Sequence, residues 1–169
     1  MGNRWKMNTI KITDELKARV RDHEGTRAHA YQDTLGKWTI AVGHLIRDHE
    51  IEKYLVSDGA GGYKPREEEI SADEIEDLFL IDLNRACAGA EQLIGKMYKG
   101  DKRLPQEIEH VIVEMVFQLG ETGVSKFVKF WKALSDGDRK EAAAQMKDSR
   151  WHSQTPVRCE ALAEIVANA

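Results

Sequence analysis

Cysteine is nearly missing from this chain of 169 residues. The two present, Cys87 and Cys159, lie far apart and flank no metal-ligand spacing. That excludes a disulfide-stapled miniature fold, and two free, reduced thiols are expected. The six histidines are scattered, so no metal motif is encoded and no cofactor is implied. Long apolar runs are missing too: Val111-Ile112-Val113 is cut by Glu114, and nothing reaches the 18 or more residues of a membrane span. No basic stripe or aromatic-basic repeat offers a surface to nucleic acid, and the net charge is −4. Charged residues at 32% and apolar ones at 41% are the composition of a soluble globule with a real core. No internal repeat or low-complexity tract is found. Nothing suggests more than a monomer.

Met1 to Lys6 is followed by no apolar stretch and lacks the Ser or Thr of a myristoylation motif. The expectation is synthesis and folding in a cytoplasm, without membrane insertion.

Periodicity sets out a mostly helical α+β chain. Ile12, Leu16 and Val20 mark one helical face, with Thr13 or Asp14 as N-cap and Gly25 as stop. Asp33-Thr34-Leu35-Gly36 has the order of a tight turn, and Trp38 to Val42 reads as a strand. Ser57 to Gly62, continued by Lys64-Pro65, reads as a flexible loop. Ser71-Ala72-Asp73-Glu74 is a capping box, with Ile70 and Ile75 as its hydrophobic staple. It opens a helix from Ala72 to about Ile94, ended by Gly95. Further helices are expected from Pro105 to a stop at Gly120, from Gly123 to Leu134, from Asp138 to Lys147 and from Pro156 to Val166. The organisation expected is a single domain over 1–169: an N-terminal lobe over about 13–71 with a hairpin or small sheet, a linking helix over about 72–94, and a helical lobe over about 95–169.

Glu24, Asp33 and Thr39 carry the chemistry. Glu24 falls in the last turn of the first helix, where the dipole is negative and a carboxyl that keeps its proton is favoured. Asp33 opens the turn, exposed and ionised. Two carboxylates in different environments separate acid and base roles, and a hydroxyl can help to hold water. Taken singly, a Glu before a helix-ending Gly is usually a surface residue, and an Asp at a turn start is usually there for the turn. Only the joint pattern points to glycoside hydrolysis.

The run from His23 to His44 resembles the phage-type lysozyme family. So does the distant block Met115-Val116-Phe117-Gln118-Leu119-Gly120-Glu121-Thr122-Gly123-Val124, and so does Ser149-Arg150-Trp151-His152-Ser153-Gln154-Thr155-Pro156 with Arg158. The blocks fall in family order across roughly residues 14–168. The resemblance implies a small sheet-bearing lobe joined by a long helix to a helical lobe. It implies an endolysin-type muramidase that cuts the β-1,4 bond between N-acetylmuramic acid and N-acetylglucosamine with inversion. In that reading Glu24 is the general acid, Asp33 the base-side carboxylate, and Thr39 helps to place the attacking water. Peptidoglycan is the partner, and reaching it from the cytoplasm calls for a holin-type pore. Leu45, Phe117, Phe130, Gln145 and Arg150 match substrate-binding positions, and Arg158 is expected to reach Glu24. Asp82 lies near the apolar stripe of the long helix, where a carboxylate needs a partner. The resemblance pairs it with His44, and such an ion pair raises the His44 pKa.

This chain also departs from the family pattern. His23 stands where an Asp is common, Phe130 where a small polar residue is usual, and Gln145 where Asn is usual. The N-terminus is longer and the C-terminus lacks the family's aromatic tail. Three rival readings remain: a lytic transglycosylase, against which Asp33 and Thr39 weigh; a non-catalytic wall-binding or tail-associated module; and a regulatory protein using the fold for partner binding, for which the sequence gives no positive signal.

Overall fold

The structure, a computed structural model, describes residues 9–169, and the reading of Met1–Lys6 lies outside them. The chain forms two compact units. One is Asp14–Asp82; the other joins the described residues before Asp14 to Leu83–Ala169. The long helix contributes to both.

The first unit opens with α1 (Asp14–Glu24), whose Leu16 and Val20 are fully buried. Gly25 ends it with φ +75° and an N–H donated to the Arg21 carbonyl at 2.8 Å, the left-handed stop expected of glycine. Strands β1 (Arg27–Gln32), β2 (Trp38–Ala41) and β3 (His44–Leu45) form an antiparallel sheet in that order. A single turn of 3-10 helix, a short α2 (Ile51–Tyr54), and strands β4 (Leu55–Ser57) and β5 (Tyr63–Pro65) follow. Ile40, Ala41, Ile46, Tyr54, Leu55 and Leu78 make this unit's core, with Trp38, Ile70 and Ile75 packed on its margin.

Of the segment read as a flexible loop, residues 58–62 are the irregular tip of a hairpin, while Ser57 and Lys64-Pro65 lie in its two strands. Leu55, Val56 and Ser57 pair with Pro65, Lys64 and Tyr63. Asp58 closes the tip, its Oδ1 accepting from the N–H groups of Ala60 at 2.8 Å and Gly62 at 2.9 Å. The glycines supply the tight tip and the Asp side chain organises it, so ordered pairing survives in a segment that composition marks as loop.

Helix α3 (Ala72–Met97) is capped at its start by Ser71, whose Oγ accepts the Glu74 N–H at 3.1 Å. It runs past Gly95, which is an ordinary helical residue here and not the expected stop. Helix α4 (Gln106–Ser125) breaks at Gly120, at φ 76° and ψ 162°, and then resumes. The expected single helix from Gly123 to Leu134 is two pieces, because the chain leaves helical geometry at Phe127 (φ −77°, ψ 55°) before α5 (Val128–Ser135). The Val124 carbonyl at that break accepts the buried Trp131 indole N–H at 3.1 Å. Helices α6 (Arg139–Lys147), α7 (Arg150–Gln154) and α8 (Pro156–Asn168) complete the second unit, with α6 packed on α8 and α5. Asp138 caps α6 and Ser149 caps α7.

The described N-terminal residues belong to this second unit. Ile10 is buried and donates its N–H to Glu91 Oε1 at 2.8 Å, and the Lys11 carbonyl accepts from His110 Nε2 at 2.8 Å. Cys87 and Cys159 are free and buried, and burial pushes both thiols up to about 11, which leaves them unreactive. Among the described residues no helix is long and apolar enough to cross a membrane.

Candidate active site

Glu24 is the last residue of α1 and is half-buried. Its carboxylate lies against the backbone of Gly43, in the β2–β3 turn. A methyl group at Gly43 would stand 2.8 Å from Glu24 Oε2 and 3.3 Å from its Cδ, so the carboxylate fills the space a side chain would need. The turn itself is unusual. Ile40 pairs with His44 around Ala41-Val42-Gly43, and Ala41 and Gly43 both have positive φ, 58° and 69°. For Ala41 that conformation costs about 1–2 kcal/mol. Such strain persists where the surroundings over-determine it, and Ala41 is fully buried in the core.

Asp33 begins the turn between β1 and β2. Its Oδ1 accepts from the N–H groups of Leu35 and Lys37, both at 2.8 Å. Its backbone N–H donates to the Lys37 carbonyl and its carbonyl accepts from Gly36, both at 2.9 Å. The turn is thus built around this side chain, but both side-chain bonds go to one oxygen and Oδ2 lies outside them.

Strand register places the third expected residue. Tyr31 pairs with Thr39, and Thr39 pairs with Leu45, so the three form one row across the sheet. Thr39 is buried and donates its hydroxyl proton to the Lys37 carbonyl at 3.1 Å, which leaves the oxygen's lone pairs as acceptors. Leu45 is 44% exposed at the end of the row.

Tyr31 was not singled out by its sequence, yet it responds to both acids. Burial lifts its phenol above the ordinary value, the Glu24 charge lifts it further, Arg27 opposes this and Asp33 adds again. The Arg27 guanidinium stands 4.6 Å over the Tyr31 ring. The signal available in sequence was its place two residues before Asp33, on the strand face that Thr39 continues.

His44 is buried and held from both sides. Its Nδ1 bonds Asp82 Oδ2 at 2.7 Å, and its Nε2 lies 3.0 Å from Glu50 Oε2. The hydrogen bond to Asp82 raises the His44 pKa; burial works against it, and the charge of Asp82 and the contact with Glu50 add to it. Burial would raise the Glu50 carboxyl, but the Arg47 N–H and the His44 ring hold it below its ordinary value. Glu50 is the member that sequence reading missed. The arrangement binds the imidazolium, so its stabilisation is complete below about pH 6.5, where the unfolded ring is also charged, and is lost as pH rises through the elevated folded value. Removing one partner of a buried pair costs about 3–5 kcal/mol, and the partial exposure here reduces that to about 2–3 kcal/mol. Asp82→Asn is expected to lower Tm by about 4–12 °C at pH 5.5, at about 2–4 °C per kcal/mol. The gap should narrow at pH 9.5. Thermal melts of both proteins at the two pH values check this; a gap that does not change with pH removes the ion pair.

The remaining predicted residues belong to the second unit. Phe117 is half-buried, and Arg150 is exposed at the start of α7. Gln145 donates to Glu141 Oε1 at 2.6 Å. Phe130 corrects the sequence expectation: it is fully buried, edge-on to Trp131 at 5.5 Å and to Phe127 at 6.4 Å. An aromatic ring enclosed by other rings has no face left for a sugar, so Phe130 is a core residue. Arg158 is buried and donates through Nε to Glu114 Oε1 at 3.2 Å, with Glu114 itself fully enclosed. That partner was hidden in sequence, because Glu114 sits within an otherwise apolar stretch. Gln118 accepts the Trp151 indole N–H at 2.9 Å and donates to Thr155 Oγ1 at 3.1 Å, tying the second and third sequence blocks together. Among the described residues no cluster could hold a metal ion.

A half-buried carboxyl at a helix end, a turn carboxylate with one oxygen outside its turn, and a hydroxyl on the intervening strand form the inventory of a glycoside hydrolase. Comparison with known proteins agrees. The phage lysozyme family matches residues 21–164. Probable T4-type lysozyme 2 of Dictyostelium discoideum is 33% identical over 156 residues, 87% of this chain and 90% of that protein. Probable T4-type lysozyme 1 of the same organism is 31% identical over 164 residues, 92% of this chain and 95% of that protein. The pre-baseplate central spike protein Gp5 of Enterobacteria phage T4 is 31% identical over 156 residues, which are 87% of this chain and 26% of the spike protein. The chain belongs to the phage lysozyme family and is a glycoside hydrolase.

Proposed function

We propose that this enzyme is a muramidase that hydrolyses the β-1,4 bond between N-acetylmuramic acid and N-acetylglucosamine in peptidoglycan, with inversion, and so lyses a bacterial host. The observation that carries the reading is that one small sheet holds all three groups: Glu24 lies against Gly43 of the β2–β3 turn, Asp33 builds the β1–β2 turn, and Thr39 stands on β2 between the two turns. The names of relatives add weight, among them the peptidoglycan hydrolase gp36 of Pseudomonas phage phiKMV, 25% identical over 144 residues.

In the reaction, the Glu24 carboxyl gives its proton to the glycosidic oxygen as the bond to the anomeric carbon breaks. Asp33, through the oxygen outside its turn, takes a proton from a water that attacks the opposite face of the sugar. Thr39 Oγ1 accepts a hydrogen bond from that water and helps to aim it. An inverting pair needs about 6.5–9.5 Å between its carboxyl groups to admit the water. Leu45 offers an apolar edge to a sugar ring beside Thr39, and Arg150 is suited to the carboxylates of the peptide stems. The protein acts as a monomer and needs a holin-type pore to pass from the cytoplasm to the wall.

Mass spectrometry of the products tests the reaction type. Digested peptidoglycan is expected to carry reducing N-acetylmuramic ends, with the α-anomer formed first by NMR. Anhydro ends would make the enzyme a lytic transglycosylase, and retention at the anomeric carbon would overturn inversion.

A further inference from the structure

The proposed mechanism assigns Glu24 a role but does not say what aims it. The first observation is the contact with Gly43: the Glu24 carboxylate lies where a Cβ at that position would be, 2.8 Å from Oε2, 3.3 Å from Cδ and 3.6 Å from Cγ. Three atoms of one side chain meet one bare backbone position. The second is the effort spent on the turn that presents it. Ala41 adopts a positive φ of 58° although it is not a glycine, and the next residue after Gly43 is the doubly held His44. The backbone around Gly43 is thus fixed on both sides. The third is the contrast with other glycines of left-handed conformation. Gly25, Gly36, Gly59, Gly61, Gly120 and Gly137 have positive φ and open space where a side chain would go. Gly43 alone among the described glycines combines the left-handed conformation with a carboxylate in that space.

We infer that Gly43 is a positioning residue for the catalytic acid: its bare Cα is a seat that fixes the direction in which the Glu24 carboxyl points. The inference rests on the reading of Glu24 as general acid, and it adds what sets that acid's aim. Glu24 is flexible at its far end, so a methyl group at residue 43 evicts the carboxyl without breaking the fold. The enzyme then binds glycan but presents its proton from the wrong place. Misplacement by about 1 Å can cost about 100-fold in rate.

The test compares Gly43→Ala with Gly137→Ala in the full-length enzyme. Gly137 has φ +78° and nothing within 4 Å of the place a methyl group would take, so its substitution isolates backbone strain. On soluble glycan strands, Gly43→Ala is expected to lower kcat about 100-fold with KM within about threefold, and Gly137→Ala to leave both unchanged. In carbon-13 NMR, the Glu24 carboxyl resonance is expected to move in Gly43→Ala and to stay in Gly137→Ala. Equal kcat in the two variants, or an unmoved Glu24 resonance, overturns the seat. If Gly43→Ala fails to fold, the double variant Glu24→Ala/Gly43→Ala decides. Recovered folding supports a clash with the carboxyl, and continued failure shows that the turn backbone rejects the methyl and overturns the proposal. Activity retained by Glu24→Gln would instead remove the reading of Glu24 as acid, while the NMR comparison would still report on the seat.

Discussion

Glu24→Gln is expected to lyse chloroform-treated Gram-negative cells at least about 10³-fold more slowly than the wild type. General acid catalysis contributes typically 10²–10⁴-fold, and peptidoglycan has a poor leaving group that needs its proton as the bond breaks. Gln keeps the length and shape of Glu, so it can occupy the same place beside Gly43 and removes only the transferable proton. The fold should be indifferent to the change, with Tm within about 2 °C, since a half-buried residue at a helix end is not a core element. The loss would therefore belong to chemistry. Turbidity traces and thermal melts together check this, and lysis within tenfold of the wild type would take Glu24 out of the mechanism.

Asp33 calls for a pair of variants, because its side chain has two jobs. As a turn element it accepts two backbone N–H bonds through Oδ1. As a base it must be ionised. Asn keeps an acceptor oxygen for both turn bonds and abolishes the charge; Ala abolishes both. The expectation is that Asp33→Asn and Asp33→Ala lose turnover alike, by about 10²–10³-fold, in the range of a general base. They should differ in stability. Ala forfeits two hydrogen bonds worth about 0.5–1.5 kcal/mol each, a fall of several degrees in Tm, whereas Asn stays near the wild type. Turnover of Asp33→Asn close to the wild type would mean that Asp33 serves the turn alone.

What could be read from the sequence was local. The helix ending at Gly25, the turn beginning at Asp33 and the strand carrying Thr39 follow from neighbours within a few residues, where dihedral preference and turn chemistry decide. The capping box at Ser71 and Glu74 is of the same kind. What could not be read depends on distant residues meeting. The contact of Gly43 with Glu24 requires the hairpin to return to the end of α1. Glu50 faces His44 only because one turn of 3-10 helix swings it back. Phe130 was matched to a substrate-binding position, but that position says nothing of the rings of Phe127 and Trp131 that enclose it. The β4–β5 hairpin hid for a different reason: its strands are three residues each, and its glycines dominate the composition. The candidate residues could be named because residue type suggests a role, whereas what supports them is carried by the fold.

The enclosed pair of Glu114 and Arg158 limits how this lineage can change. Losing either charge alone breaks the buried bond between Arg158 Nε and Glu114 Oε1, and removing one partner of a buried pair costs about 3–5 kcal/mol, whereas exchanging both together for apolar side chains of similar volume is close to neutral. Neutral drift therefore has to cross a valley between two acceptable states, and descendants should carry both charges or neither.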